Sequence, residues 1–223
     1  MGCDIHAYAE TRDSVGAWSA VLDSDGTPTR FCDYRSYDTF AILASVRNGG
    51  GFAGIKTSDG FNPIARPRGI PFDASPECQK MVDDYGEDGH SHSFLSLSEL
   101  LEFDWLQTTI RRGIIPLQTW FFWSRYEKPR GRYPNTFSSA IGGNRVKVIV
   151  PSDAEKMQGV KPGPDENMSY HVDDEWELPY YRAAAMLWSE DIPRLMALAK
   201  TLPGASDTKD YHDRVRLVFF FDN

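Results

Sequence analysis

Two short stretches concentrate the residue types that could do chemistry. Asp4-Ile5-His6 sets a carboxylate and an imidazole two positions apart, and His90-Ser91-His92 sets two imidazoles at the same spacing. Together they hold three of the chain's five histidines. Alternate side chains of an extended segment share a face, so each pair should project to one side. Carboxylate and imidazole together suit zinc, manganese or a similar divalent metal. A bound ion would lower the pKa of a water molecule and so supply a nucleophile for hydrolysis. Asp4, His6, His90 and His92 are therefore the candidate catalytic and metal-ligating residues. Gly89 allows close backbone approach, and Ser91 and Ser93 could hydrogen-bond the ligating rings. Asp83, Asp84, Asp88, His171, Asp173 and Asp222 are further carboxylates and imidazoles that the sequence alone does not place. The competing structural reading is that Asp4 only orients His6 and that the second pair decorates a polar loop.

A second constellation is basic and aromatic: Trp123, Arg125, Tyr126, Lys128, Arg130, Arg132 and Tyr133 fall within one short segment. Guanidinium forks grip phosphate, and aromatic faces stack on bases. With Tyr8, these side chains (Tyr133 apart) are the candidate ligand-binding set. The alternative is that the aromatic residues finish a core while the charges sit in water.

The elements that must position these residues follow from periodicity. Residues 2–10 alternate, with Cys3, Ile5, Ala7 and Ala9 on an apolar face and Asp4, His6, Tyr8 and Glu10 opposite. Trp18 to Leu22 reads as a return strand. Tyr37 to Arg47 reads as a helix capped by Asp38 and stopped by Gly49-Gly50-Gly51. Residues 48–80 read as mostly irregular, with prolines at 63, 67, 71 and 76. Ser96-Leu97-Ser98-Glu99 is a capping box that opens a helix to about residue 106. Ile110 to Trp123 is rich in β-branched and aromatic residues, and 145–150 reads as a strand. Residues 151–179 read as a second long excursion. Tyr180 to Leu202 reads as two helices, with Ser189 as N-cap and Pro193 in the first turn of the second. Its stripe is Leu195, Met196, Leu198, Ala199 and Leu202. Residues 214–221 close the chain as a strand apolar on both faces, hence central.

The fold expected is α+β: a single domain over 1–223, a mixed or antiparallel sheet with the N- and C-terminal strands central, helices packed on one face, and long irregular insertions. Net charge is −8, which argues against a broad footprint on duplex nucleic acid. Three cysteines without a CxxC pair fit neither a disulfide framework nor a structural zinc site. No apolar run reaches the ~20 residues of a membrane span, and no secretory signal is read at the polar N-terminus.

Asp-x-His early and Gly-His-x-His later are similar to the first and last motifs of calcineurin-like metallophosphoesterases, in which such residues ligate two metals that activate water against a phosphate ester. The departures are that no Gly-Asp-x-x-Asp occurs, that Gly143-Asn144-Arg145 only approaches Gly-Asn-His, and that Gly-His-x-His falls mid-chain. A convergent mononuclear site fits those departures better. Over most of its length the chain resembles a family of uncharacterised bacteriophage and prophage proteins. The likeness rests on Met1-Gly2-Cys3-Asp4-Ile5-His6, Tyr37-Asp38-Thr39-Phe40-Ala41-Ile42-Leu43-Ala44, Arg68-Gly69-Ile70-Pro71, Asp88-Gly89-His90-Ser91-His92-Ser93 and the closing Arg216-Leu217-Val218-Phe219-Phe220-Phe221-Asp222-Asn223. It implies an accessory, counter-defence role in the cytoplasm of a host bacterial cell.

The expected activity is metal-dependent hydrolysis of a small phosphorylated or nucleotide-like ligand, with Arg130 or Arg132 steadying the phosphate. The alternatives are a binding protein that sequesters a nucleotide immune signal without chemistry, and an acidic inhibitor of a host protein. Oligomeric state is not readable.

Overall fold

The computed structural model describes residues 2–49, 60–158, 168–204 and 208–222. They form an α+β fold with two compact units. The first comprises Met1–Asn48, Phe61–Gln107 and Tyr180–Asn223; the second comprises Gly49–Gly60 and Thr108–Pro179. Among the described residues, no helix is long and apolar enough to cross a membrane.

The first unit is built on an antiparallel sheet of β1 (Asp4–Arg12), β2 (Trp18–Ala20), β3 (Arg30–Phe31), β4 (His90–Ser96) and β8 (Val215–Asp222). Its order is β2-β1-β8-β4, with β3 also on β1. The two terminal strands are therefore central neighbours, as their apolar patterns predict, with His6 opposite Phe220 and Glu10 opposite Arg216. β8 is buried along nearly its whole length because β-branched and aromatic residues occupy both of its faces.

One face carries Cys3, Ile5, Ala7, Ala9, Leu95, Leu217, Phe219 and Phe221. It packs under α1 (Tyr37–Ala44), α3 (Leu97–Glu102), α6 (Tyr180–Ala183) and α7 (Ile192–Thr201). Ser36, not Asp38, caps α1 by accepting from the Thr39 N–H. The helix stops at Ser45 in a left-handed conformation, ahead of the glycine run, of which only Gly49 is described. The capping box on α3 forms as read, but the helix ends at Glu102. Ser189 lies inside a π-helical turn, Leu187–Asp191, rather than at an N-cap, while Pro193 does sit in the first turn of α7.

Helices do not keep to one face. Pro76–Tyr85 forms α2 within a stretch expected to be irregular, and it covers the opposite side of the sheet. Ser75 caps it, Pro76 stands in its first turn, and Cys78, Met81, Val82 and Tyr85 share one side at helical spacing. They pack on Tyr8 and Phe220. Farther along the same sheet face, the Glu10 carboxylate accepts from Arg216 Nε at 2.6 Å and from the Ser75 N–H at 2.6 Å. Arg216 also donates to Asp73 and stacks over Trp18, 3.8 Å from the ring centre. The face read as polar is thus closed: Glu10 is fully buried, satisfied by neighbours rather than by water.

The second unit is a three-stranded sheet, β5 (Thr108–Pro116), β7 (Ser169–Pro179) and β6 (Val146–Ile149), in the order β5-β7-β6. β5 and β7 are antiparallel, whereas β6 and β7 are parallel. Part of the expected excursion 151–179 is therefore the longest strand of the chain, together with the short α5 (Pro151–Lys156); residues 159–167 of it lie outside the described residues. Likewise, 50–59 of the irregular stretch 48–80 lie outside them. α4 (Leu117–Phe122) continues into a π-helical turn, Trp123–Glu127. Gly113 is required by close approach: a Cβ there would stand 2.9 Å from Trp176 and 3.1 Å from the Ser138 carbonyl. The remaining short helix is α8 (Lys209–His212), before β8.

Candidate functional site

Asp4 and His6 share a face of β1, as their spacing predicts, but they do not act on a common centre. Asp4 is gripped by Arg35, whose Nε and terminal nitrogen donate to its two oxygens at 2.8 and 2.6 Å. Those hydrogen bonds hold the Asp4 carboxyl below its ordinary pKa. His6 is 6% exposed. It stacks on Phe220 at 5.0 Å between ring centres and lies against Tyr85 at 4.2 Å. Its Nε2 is 3.2 Å from Asp222 Oδ2 without meeting hydrogen-bond geometry.

His90 and His92 are extended, but a β-bulge intervenes. His90 pairs with Phe221 and Ser93 with Phe219, so two residues, Ser91 and His92, stand opposite Phe220. Ser91 takes φ 53° to accommodate the extra residue. His90 consequently stacks on Phe221, and His92 on Phe220, the rings of opposite sheet faces. The bulge thus cancels the shared face that simple alternation gives. β1 and β4 flank β8, so two inter-strand spacings, roughly 10 Å, separate the His6 and His92 backbones. His90 is turned to the sheet face opposite His6 and His92, and Arg35 holds Asp4, so the expected ligand set Asp4, His6, His90 and His92 is not brought to one centre. Among the described residues, no group of three or more His, Cys, Asp or Glu side chains is placed to hold a metal ion. Asp83 and Asp84 are engaged by Gln79 and Lys80 on α2, Asp173 by Arg112, and His171 belongs to the second unit.

His90 instead helps line a pocket of about 380 Å³ in the first unit. Its other walls are Ser91, Arg47, Arg66, Pro67 and the end of α1 at Ala44–Val46. Among the described residues, three of the four non-glycine residues with positive φ, Ser45, Arg47 and Ser91, belong to it. Left-handed backbone at such residues costs roughly 1–3 kcal/mol each and gathers at functional sites. His90 Nδ1 is 3.0 Å from Ser91 Oγ, while its Nε2 is buried without a hydrogen-bond partner among the described residues. A histidine that activates a hydroxyl needs a group orienting its other nitrogen, and no carboxylate does that here. The arrangement can donate hydrogen bonds and positive charge to an anion. Arg47 and Arg66 escaped the sequence reading because nothing local marks them; only the fold brings 47, 66 and 90 together.

The basic aromatic segment separates into parts. Trp123, Lys128 and Arg132 line a cleft of about 390 Å³ in the second unit, with Glu175, Trp176 and Glu177 opposite. Trp123 is only 1% exposed, its Nε1 donates to the Arg132 carbonyl at 2.7 Å, and Lys128 Nζ covers its ring at 4.8 Å. Lys128 is itself paired with Asp174 at 3.1 Å. Trp123 therefore has no open face for a base, and the two glutamates offset the cations. Arg125, Tyr126 and Arg130 are exposed and outside the cleft; Tyr126 stacks on Phe122. Tyr8, in the first unit, is buried against Phe220 and Cys78, which pushes its hydroxyl up to about 12. The core-finishing alternative thus describes Trp123 and Tyr8 better than ligand binding does.

Comparison with family models, with curated proteins and with solved structures returns no match, so the geometry alone carries the functional argument.

Proposed function

We propose that the protein binds a small phosphorylated, nucleotide-like ligand in the Arg47–Arg66–His90 pocket of the first unit and holds it chemically unchanged. The observation that carries this reading is charge. Two arginines and a histidine line the pocket and no carboxylate does, in a chain with 32 acidic residues against 24 basic ones. Among the described residues, Arg66 has no carboxylate partner, so its guanidinium is free to grip an anion. α1 ends at this pocket, and a helix C-terminus opposes an anion by about 0.3–1 kcal/mol. A charge-assisted hydrogen bond contributes about 1.5–3 kcal/mol, so even one guanidinium outweighs the helix end. The resemblance to bacteriophage proteins makes sequestration of a nucleotide signal in a host cell the biological form of this proposal.

Calorimetric titration with adenosine, AMP and inorganic phosphate tests it. AMP should bind and adenosine should not. Arg66→Ala should weaken AMP by roughly 10–150-fold, the equivalent of one charge-assisted bond. Equal binding by Arg66→Ala and the unsubstituted protein would sink the proposal. AMP recovered intact after denaturing the complex distinguishes holding from hydrolysis; conversion to adenosine and phosphate would favour the hydrolase instead.

A further inference from the structure

Among the described residues, the sheet of the second unit has an unfinished edge. β6 pairs with β7 only over Ser169–Val172, whereas β5 accompanies β7 to Pro179. The direction of the backbone groups beyond Val172 is fixed by one neighbour. Ile114 exchanges both of its backbone hydrogen bonds with Ser138, at 2.8 and 2.9 Å, on the side away from β7. Its cross-strand partner Asp173 must then point its own N–H and C=O away from β5, and so must Glu175 and Glu177 at the same parity. The Glu175 N–H is taken by Asp174 Oδ1 at 2.8 Å. Among the described residues, the Glu175 carbonyl and the Glu177 N–H and C=O have no strand beside them.

This edge forms one wall of the 390 Å³ cleft, in which Glu175, Trp176 and Glu177 are consecutive lining residues. Trp176 is 5% exposed, and its Nε1 is buried with no hydrogen-bond partner among the described residues. Neither Glu175 nor Glu177 is ion-paired among the described residues, whereas the neighbouring acids Asp173 and Asp174 are tied to Arg112 and Lys128. The two free carboxylates stand two residues apart, the spacing of alternate side chains on an added strand.

We propose that this edge receives an extended peptide segment of a partner protein, added as a strand alongside Glu175–Glu177, with basic side chains at alternate positions facing the two glutamates. The backbone would supply affinity and the carboxylates selectivity, as in other strand additions. An apolar side chain between the basic ones would enter the cleft beside Trp176. The same residues also suit a purely protective role, since charges on an edge strand deter pairing. The two roles make opposite predictions. This site belongs to the second unit and does not depend on the anion pocket.

The test uses the full chain, ¹⁵N-labelled, titrated with three capped pentapeptides: Lys-Val-Lys-Val-Lys, Glu-Val-Glu-Val-Glu, and the lysine peptide N-methylated at alternate backbone nitrogens. The lysine peptide should shift the amides of Glu175–Glu177 and the Trp176 indole N–H, and should slow exchange of the Glu177 amide. The glutamate peptide should bind at least tenfold more weakly, and the Glu175→Lys/Glu177→Lys variant should reverse that preference. The N-methylated peptide should bind at least tenfold more weakly to the unsubstituted protein. Absence of any shift at 175–177, or equal binding by the N-methylated peptide, would overturn the proposal and leave the glutamates as edge protection.

Discussion

At the residue scale, the chemistry of this chain is governed by what each polar group already touches. Asp4 is a carboxylate in a promising position, but Arg35 occupies both of its oxygens. Glu10 and Arg216 show the structural counterpart, a buried ion pair with every neighbour supplied. Removing one partner of such a pair strands the other charge, which costs about 3–5 kcal/mol. Arg216→Met should therefore lower unfolding stability by that amount in urea titrations, and Glu10→Gln/Arg216→Met should recover part of it. His92 carries a pH signature. Burial lowers its pKa, with the neighbouring His90 adding to the effect. The folded state thus resists a proton that the unfolded chain accepts near the ordinary value of about 6.5. Stability is full above that value and falls as pH drops from it toward the lower folded pKa. Denaturant midpoints should be lower at pH 5.5 than at pH 7.5, and His92→Phe should flatten the difference.

At the element scale, two backbone features decide what the strands present. The bulge at Ser91 parts His90 from His92 and delivers only the former to the anion pocket. Periodicity alone sees two histidines at strand spacing, because an extra residue in the ladder leaves no mark on the count. Ser45 ends α1 in the left-handed region at φ 61°. Glycine adopts that conformation without the Cβ penalty of roughly 1–2 kcal/mol, less its greater loss of chain entropy. Ser45 Oγ also accepts from Asn48 Nδ2 at 3.2 Å, which offsets that relief, so Ser45→Gly should change stability by less than about 1 kcal/mol in thermal or urea unfolding. Gly113→Ala should destabilise the protein by about 1–3 kcal/mol, because the new Cβ meets a backbone carbonyl that cannot swing aside. α2 is marked in the sequence: Ser75-Pro76 is a start signal, and Cys78, Met81, Val82 and Tyr85 keep helical spacing. The nearby prolines and the acidic run after it are loop signals that compete with this pattern.

At the scale of the whole molecule, the chain returns to its beginning. β8 fills the place between β1 and β4, so the last strand completes both the main core and the aromatic layer under α2. Deleting Val215–Asp222 should leave a chain without a cooperative transition and without near-UV circular dichroism, whereas loss of only a marginal strand would leave both in place.

Features that depend on neighbours within a few residues are readable from the chain alone. These are the alternating first strand with Cys3 and Ile5 turned inward, the capping box of α3, the apolar last strand and its central place, and the α+β class. Such signals are local because side-chain alternation and helix capping are set between positions i and i+4. Which polar residues meet is set by the fold. Arg35 reaching Asp4, Arg216 reaching Glu10, and Arg47, Arg66 and His90 around one pocket all join segments far apart in the chain. These meetings depend in part on strand register: a shift of one residue would turn Asp4, Glu10 or Arg216 to the other face of the sheet.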